Sequence, residues 1–139
     1  MREVLVERIR LWLDDPDSSV EYAEEVDGRW AVRMRQQVRD ATTVWFDVGE
    51  RSLRFEAYLM PAPVEPAEVH RQALARNGRA WRCFFALDEE GAVVLRGRLS
   101  AERVGLEELD RVLGEVFETI EVAFRPMVRA GFPPREKSP

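Results

Sequence analysis

Cys83 and His70 are the chain's single cysteine and single histidine, so any thiol–imidazole chemistry would have to join these two. A nucleophilic thiol needs a base within hydrogen-bond reach and a third group to orient that base. Cys83 alternates with Phe85 and Leu87 on one face of an extended run, and that pattern predicts a buried, inert thiol. His70 stands beside Arg71 in a helical stretch and is expected as a surface imidazole. One cysteine makes no intramolecular disulfide, which points to a reducing, cytoplasmic setting. One Cys and one His also fall short of a zinc site.

The carboxylates give no stronger signal. Asp14-Asp15-Pro16-Asp17 lacks the twelve-residue calcium-loop pattern and its closing Glu. Glu24 and Glu25 are neighbours in a strand, so they point to opposite faces and cannot chelate together. With Asp27 they read as a solvated acidic edge that discourages edge-to-edge pairing. Asp47 and Glu56 fall on adjacent strands near Arg33 and Arg54, an ion-pair lattice rather than an acid–base pair. No glycine-rich phosphate loop is present. Gly97, the nearest case, sits mid-strand and predicts a bulge or a close approach of another group. No catalytic, cofactor-binding or metal-binding residue is assigned.

The strongest feature is a set of residues rather than a motif. In the extended runs one alternating face collects Trp30, Val32, Met34, Val44, Phe46, Val48, Leu53, Phe55, Leu59, Cys83, Phe85, Leu87, Val93 and Leu95. That is a core. The opposite face collects Arg33, Arg35, Trp45, Arg54, Glu56, Tyr58, Met60, Phe84, Val94, Arg96 and Arg98. Trp, Tyr, Phe and Met mixed with Arg is the composition enriched in protein interfaces. Arg33, Trp45, Arg54, Tyr58, Phe84, Arg96 and Arg98 are therefore the candidate interface residues. The same arginines could hold a phosphate or an acidic peptide.

The elements that position these residues follow from periodicity. Leu5, Ile9, Trp12 and Leu13 make an apolar stripe over residues 2 to 14, a helix ended by Pro16. Strands follow at 20 to 26 and from Trp30 to Met34, joined by the Asp27-Gly28 turn. A second hairpin runs through Val44–Val48 and Leu53–Met60 around Gly49-Glu50-Arg51. Pro66 opens a second helix with Val69, Ala73 and Leu74 as its stripe, and Asn77-Gly78 should stop it in a left-handed cap. Two more strands surround Glu90-Gly91. Apolar spacing from Leu106 to Val128 then marks a helix of roughly 20 residues. Pro126 should kink or weaken its last turn. The order is α-β-β-β-β-α-β-β-α. Strands joined by tight turns argue for an α+β fold, a single-domain antiparallel sheet with helices mainly on one face.

Composition bounds the rest. The chain has 139 residues, 45% hydrophobic and 34% charged, with a formal net charge of -5. That suits one globular domain and excludes collagen-like, coiled-coil and disulfide-scaffold classes. Uncharged apolar runs stay far below the ~20 residues of a membrane span. No secretory signal is expected from the opening residues. A net acidic chain also makes nucleic acid an unfavoured partner.

Several phrases resemble the YbjN domain family, whose fold is similar to that of the type III secretion chaperones. They are Glu7-Arg8-Ile9-Arg10-Leu11-Trp12-Leu13, Asp27-Gly28-Arg29-Trp30-Ala31-Val32 and Val48-Gly49-Glu50-Arg51-Ser52-Leu53-Arg54-Phe55-Glu56-Ala57. Arg76-Asn77, Phe85-Ala86-Leu87-Asp88, Glu107-Glu108-Leu109-Asp110-Arg111-Val112-Leu113-Gly114 and Ala123-Phe124-Arg125-Pro126 continue the likeness. These are core and turn patterns, not catalytic signatures. Gly105 departs from the stronger cap expected before the last helix, and the chain closes on a Pro-rich segment. The resemblance implies one domain over 1–132, often dimeric and with no established enzyme activity, while the Pro-rich residues 133–139 read as a disordered tail. The expected function is a protein-binding module acting as adaptor, chaperone or regulator, a homodimer with an unknown client and no cofactor. The alternative is a regulatory domain that binds a small phosphorylated or acidic ligand through the clustered arginines.

Overall fold

Helix α1 spans Arg2–Asp14, followed by β1 (Val20–Val26), β2 (Arg29–Arg35), β3 (Ala41–Val48) and β4 (Ser52–Met60). Then come α2 (Pro66–Asn77), β5 (Phe84–Leu87), β6 (Val93–Ser100) and α3 (Leu106–Gly131). A 3-10 turn at Ala101–Arg103, unmarked by any sequence signal, leads into α3. The structure is a computed structural model that describes residues 1–134. The expected tail lies outside the described residues from Arg135 onward.

The six strands form one antiparallel sheet in the order β1-β2-β3-β4-β6-β5. Its first hairpin turns on Asp27 (φ 52°) and Gly28 (φ 80°). Positive φ at both positions is the requirement of a two-residue turn that matches strand twist.

Helices α1 and α3 cover one face. Leu5, Ile9 and Trp12 of α1 and Leu109, Val112, Val116, Ile120 and Met127 of α3 are buried against Val32, Val44, Phe46, Phe55 and Leu95. The Phe46 ring lies 6.4 Å from Trp12 and 6.3 Å from Phe55. Each large side chain sealed this way contributes about 1.5–3 kcal/mol. A polar tie fixes the two helices, since the Trp12 indole N–H donates to Asp110 Oδ1 at 2.8 Å. Helix α2 packs on α3 and β5. Charge shields the outer edge at β1, where Glu21 pairs with Arg33 and Glu25 with Arg2.

Several expected placements are corrected. Leu13, Leu74 and Leu87 are exposed rather than core: Leu13 lies in the last turn of α1, Leu87 ends β5, and α2 buries Val69 alone. Met60 is buried in the core rather than on the outer face, and Val94 keeps its place on the outer face but is buried there. A bulge between Tyr58 and Met60 shifts the register, so Leu59 and Met60 both enter the core. Val94 is hemmed in by Tyr58 and Ala86 on the flanking strands. Gly78 has φ -63°, so α2 does not end in a left-handed cap. Helix α3 runs 26 residues, through Pro126 to Gly131. Ala123 and Met127, both buried, hold it across the lost hydrogen bond.

Candidate protein-binding face

Among the described residues no helix lies on the second face of the sheet, and strand register lays its side chains out in rows. One row crosses Ala31, Trp45, Glu56, Arg96 and Phe84 on β2, β3, β4, β6 and β5. The next joins Asp47, Arg54 and Arg98. A third holds Arg33 opposite Thr43, and Tyr58 opposite Val94.

Tyr58 keeps the alternation of Glu56, and the bulge follows it. The Arg39 guanidinium donates to the carbonyls of Tyr58 and Leu59, both at 2.7 Å, and to Thr42 Oγ1. It also stacks on the Phe124 ring, 5.0 Å from the centroid. The bulged carbonyls are thereby satisfied, and the Tyr58 ring is left 51% exposed on the open face.

The first two rows, from Trp45 and Asp47 onward, form the floor of a groove of about 780 Å³. Trp45, Arg54, Phe84, Arg96 and Arg98 all line it, so five of the seven candidate residues are brought together. Arg33 and Tyr58 lie on the same face outside the groove. Arg96 pairs with Glu56 at 3.2 Å, and Arg33 with Glu21 at 2.9 Å.

The sequence pattern missed Arg29, Trp81, Arg82 and Arg103, which also line the groove. Arg29 was accessible, since it shares strand parity with Arg33. Its guanidinium lies over the Trp45 ring, 4.7 Å from the centroid. Trp81, Arg82 and Arg103 arrive from a loop and a 3-10 turn, which have no periodic signal. Trp81 is 84% exposed.

A carboxylate clamp holds the loop that delivers Trp81 and Arg82. Glu115 of α3 accepts the backbone N–H groups of Arg82 at 2.7 Å, Cys83 at 2.8 Å and Trp81 at 3.3 Å. Burial acts to raise the Glu115 pKa, but these N–H donors outweigh it and hold the carboxyl below its ordinary range. Glu108 also sits low because the Arg82 guanidinium hydrogen-bonds it. Gly97 shows the expected close approach. A Cβ there would fall 2.1 Å from the Phe55 ring and 2.3 Å from the Arg82 carbonyl.

Cys83 and His70 are not assembled into a nucleophilic site. The Cys83 thiol is buried and faces Thr119 Oγ1 at 3.9 Å, with its pKa pushed up to about 12 by burial and by Glu115. His70 is half-buried rather than on the open surface. It lines a smaller apolar trough of about 270 Å³ between α2 and β5, with Leu74 and Leu87 at its mouth. Among the described residues, no helix is long and apolar enough to cross a membrane.

A chain of the HopA1–SchA chaperone–effector complex superposes with a TM-score of 0.62 at 14% identity, covering 88% of this chain and 91% of that one. The ExsC–ExsE complex gives 0.60 at 19% identity, with 91% of each chain covered. YbjN from E. coli gives 0.56 at 19% identity, covering 86% and 87%. These likenesses show a shared fold. An uncharacterized protein of Mycobacterium leprae (strain TN) is 36% identical over 105 residues, which is 75% of this chain and 57% of the relative. One from Mycobacterium tuberculosis (H37Rv) is 38% identical over 86 residues, 61% and 47% respectively. This chain thus spans about half the length of the curated relatives it matches. The sequence pattern of the YbjN family, described as "Putative bacterial sensory transduction regulator", matches residues 5–128. With that match over a six-stranded, three-helix α+β fold of type III chaperone kind, the chain belongs to the YbjN family.

Proposed function

We propose that this chain is a non-enzymatic protein-binding module, an adaptor, chaperone or regulator, that holds a partner chain against its open sheet face. One observation carries the reading. A groove floored by Trp45, Phe84 and arginines lies on a sheet face that no helix among the described residues covers. Aromatic and Arg side chains on such a surface supply large contact area and directional hydrogen bonds. The fold's likeness to chains in chaperone–effector complexes supports it. The buried free thiol of Cys83 accords with a reducing, cytoplasmic setting.

A homodimer belongs to the same reading. Strand β5 is a sheet edge whose Phe85 backbone groups are already bonded by Asn77, leaving Leu74 and Leu87, 72% and 46% exposed, as the apolar surface along it. Such an edge is self-complementary under two-fold symmetry. Leu74→Ser and Leu87→Ser together should convert a dimer to a monomer on light scattering across a dilution series.

The test of the binding face is site-specific photo-crosslinking in the native cell. A photoreactive phenylalanine at position 58 or 84 should give discrete protein adducts. One at position 118, exposed on α3, should not. Trp45→Ala should reduce the adducts without lowering Tm. Equal adducts from all three positions, or none, would remove the open face from the binding function.

A further inference from the structure

The charge in the groove is unusual for this molecule. The chain carries a formal net charge of -5, yet six arginines line the groove against two carboxylates, Asp47 and Glu56. Part of that charge is already neutralised. Arg96 pairs with Glu56, and Arg82 and Arg103 pair with Glu108. Arg29, Arg54 and Arg98 form no ion pair with any described residue.

Arg54 and Arg98 make the decisive rung. They are register partners on β4 and β6, directly opposite each other on the open face. Like charges so placed destabilise a sheet. Asp47 is the register partner of Arg54 on its other side, but the two form no ion pair. The sheet thus holds two adjacent cations that its own acids leave free. Their cost is recovered only when an anion arrives from outside, and planar guanidinium forks suit carboxylates in bidentate geometry.

The surroundings select the kind of anion. Asp47 and Glu56 lie in the same floor, and Glu24 stands on the same face at the β1 edge beyond, opposite Ala31. A continuous phosphodiester backbone would be repelled at each of these points. A polypeptide carries its carboxylates at intervals and can put apolar side chains between them, on Trp45 and Phe84. Resting on the protein-binding reading above, we propose that the groove receives an acidic segment of a partner protein. Its carboxylates sit on the Arg54–Arg98 rung, and its apolar side chains rest on Trp45 and Phe84.

Fluorescence anisotropy tests this with the full chain and three labelled probes. These are a short peptide alternating Glu with Leu and Phe, the same peptide with Gln for Glu, and a single-stranded oligodeoxynucleotide of matched length. Inorganic phosphate serves as competitor. The Glu peptide should bind, more weakly as salt rises, and the Gln peptide should not. Arg54→Gln and Arg98→Gln should each weaken it about tenfold, as loss of one charged hydrogen bond predicts. Arg129→Gln on α3 should change nothing. Both groove variants should keep or raise Tm, because each relieves the like-charge rung.

Equal binding of the Gln peptide, preference for the oligonucleotide, displacement by phosphate, or unchanged binding after Arg54→Gln and Arg98→Gln would each overturn the proposal. So would the absence of binding by any probe. If both peptides bind and Trp45→Ala abolishes them, the open face still docks protein while its acidic selectivity is lost. If no peptide binds and positions 58 and 84 crosslink nothing, the two readings fall together.

Discussion

Asn77 and Phe85 exchange two hydrogen bonds. The Phe85 backbone N–H donates to Asn77 Oδ1 at 2.7 Å, and Asn77 Nδ2 donates to the Phe85 carbonyl at 3.0 Å. The amide side chain at the end of α2 thus acts as one more backbone rung, bonded to the short strand β5. This strand has a sheet neighbour on one side alone, so Asn77 supplies pairing that the sheet does not.

Asn77→Ala leaves both Phe85 groups without these partners. The expected loss is about 1–3 kcal/mol, the cost of stranding part-buried polar groups. Asn77→Asp should lose less, since it keeps the acceptor for the Phe85 N–H. Hydrogen exchange would localise the effect, with the Phe85 amide losing protection before those of β3 and β4. Unchanged protection at Phe85 would sink this account.

Much of the fold was legible because alternation survives packing. Trp45, Arg54 and Arg96 could be set on one face from parity alone, and strand register then placed them side by side. Asp27-Gly28 marked a turn because two positive φ values leave few residue choices. What stayed hidden depends on contacts distant in sequence. The bulge that buries Met60 needs Arg39 from another strand connection to satisfy its carbonyls. Trp81 and Arg103 reach the groove from segments with no period to read. Asn77 was legible as the end of α2, but not as a partner of β5, because Phe85 lies eight residues on across a loop.

Glu115 makes the loop before β5 sensitive to pH. Its folded-state pKa lies below the ordinary 4.5, so its contribution is full above that value and is lost as pH falls through the folded pKa. Glu115→Gln should cost about 1.5–3 kcal/mol near neutrality, the worth of charge-assisted hydrogen bonds. The gap between wild type and variant should close as the carboxyl protonates. Denaturant titrations from neutral to acid pH would show it. A gap that stays constant over that range would mean that the charge on Glu115 contributes nothing.

Cys83 should be silent in the folded protein. Its thiol is buried and its pKa is pushed up to about 12, so little thiolate exists at mildly alkaline pH. An aromatic disulfide reagent should label it no faster than the chain unfolds, and stoichiometrically in guanidinium. Rapid native labelling would place the thiol at the surface and contradict the clamp by Glu115.

Gly97 links the core to the groove, and its replacement tests both. An alanine Cβ there would meet the Phe55 ring at 2.1 Å and the Arg82 carbonyl at 2.3 Å. Overpacking typically costs about 1–3 kcal/mol, and more where neighbours cannot yield. One neighbour here is backbone, so Gly97→Ala should fall at or beyond the upper end, with a large drop in Tm. Adding Phe55→Leu should recover part of the loss by removing the ring contact. The Arg82 carbonyl would still be displaced, and Arg82 and Trp81 with it. The double variant should therefore regain stability before it regains binding at the groove. Equal recovery of both would show that the loop carrying Trp81 has no part in the face.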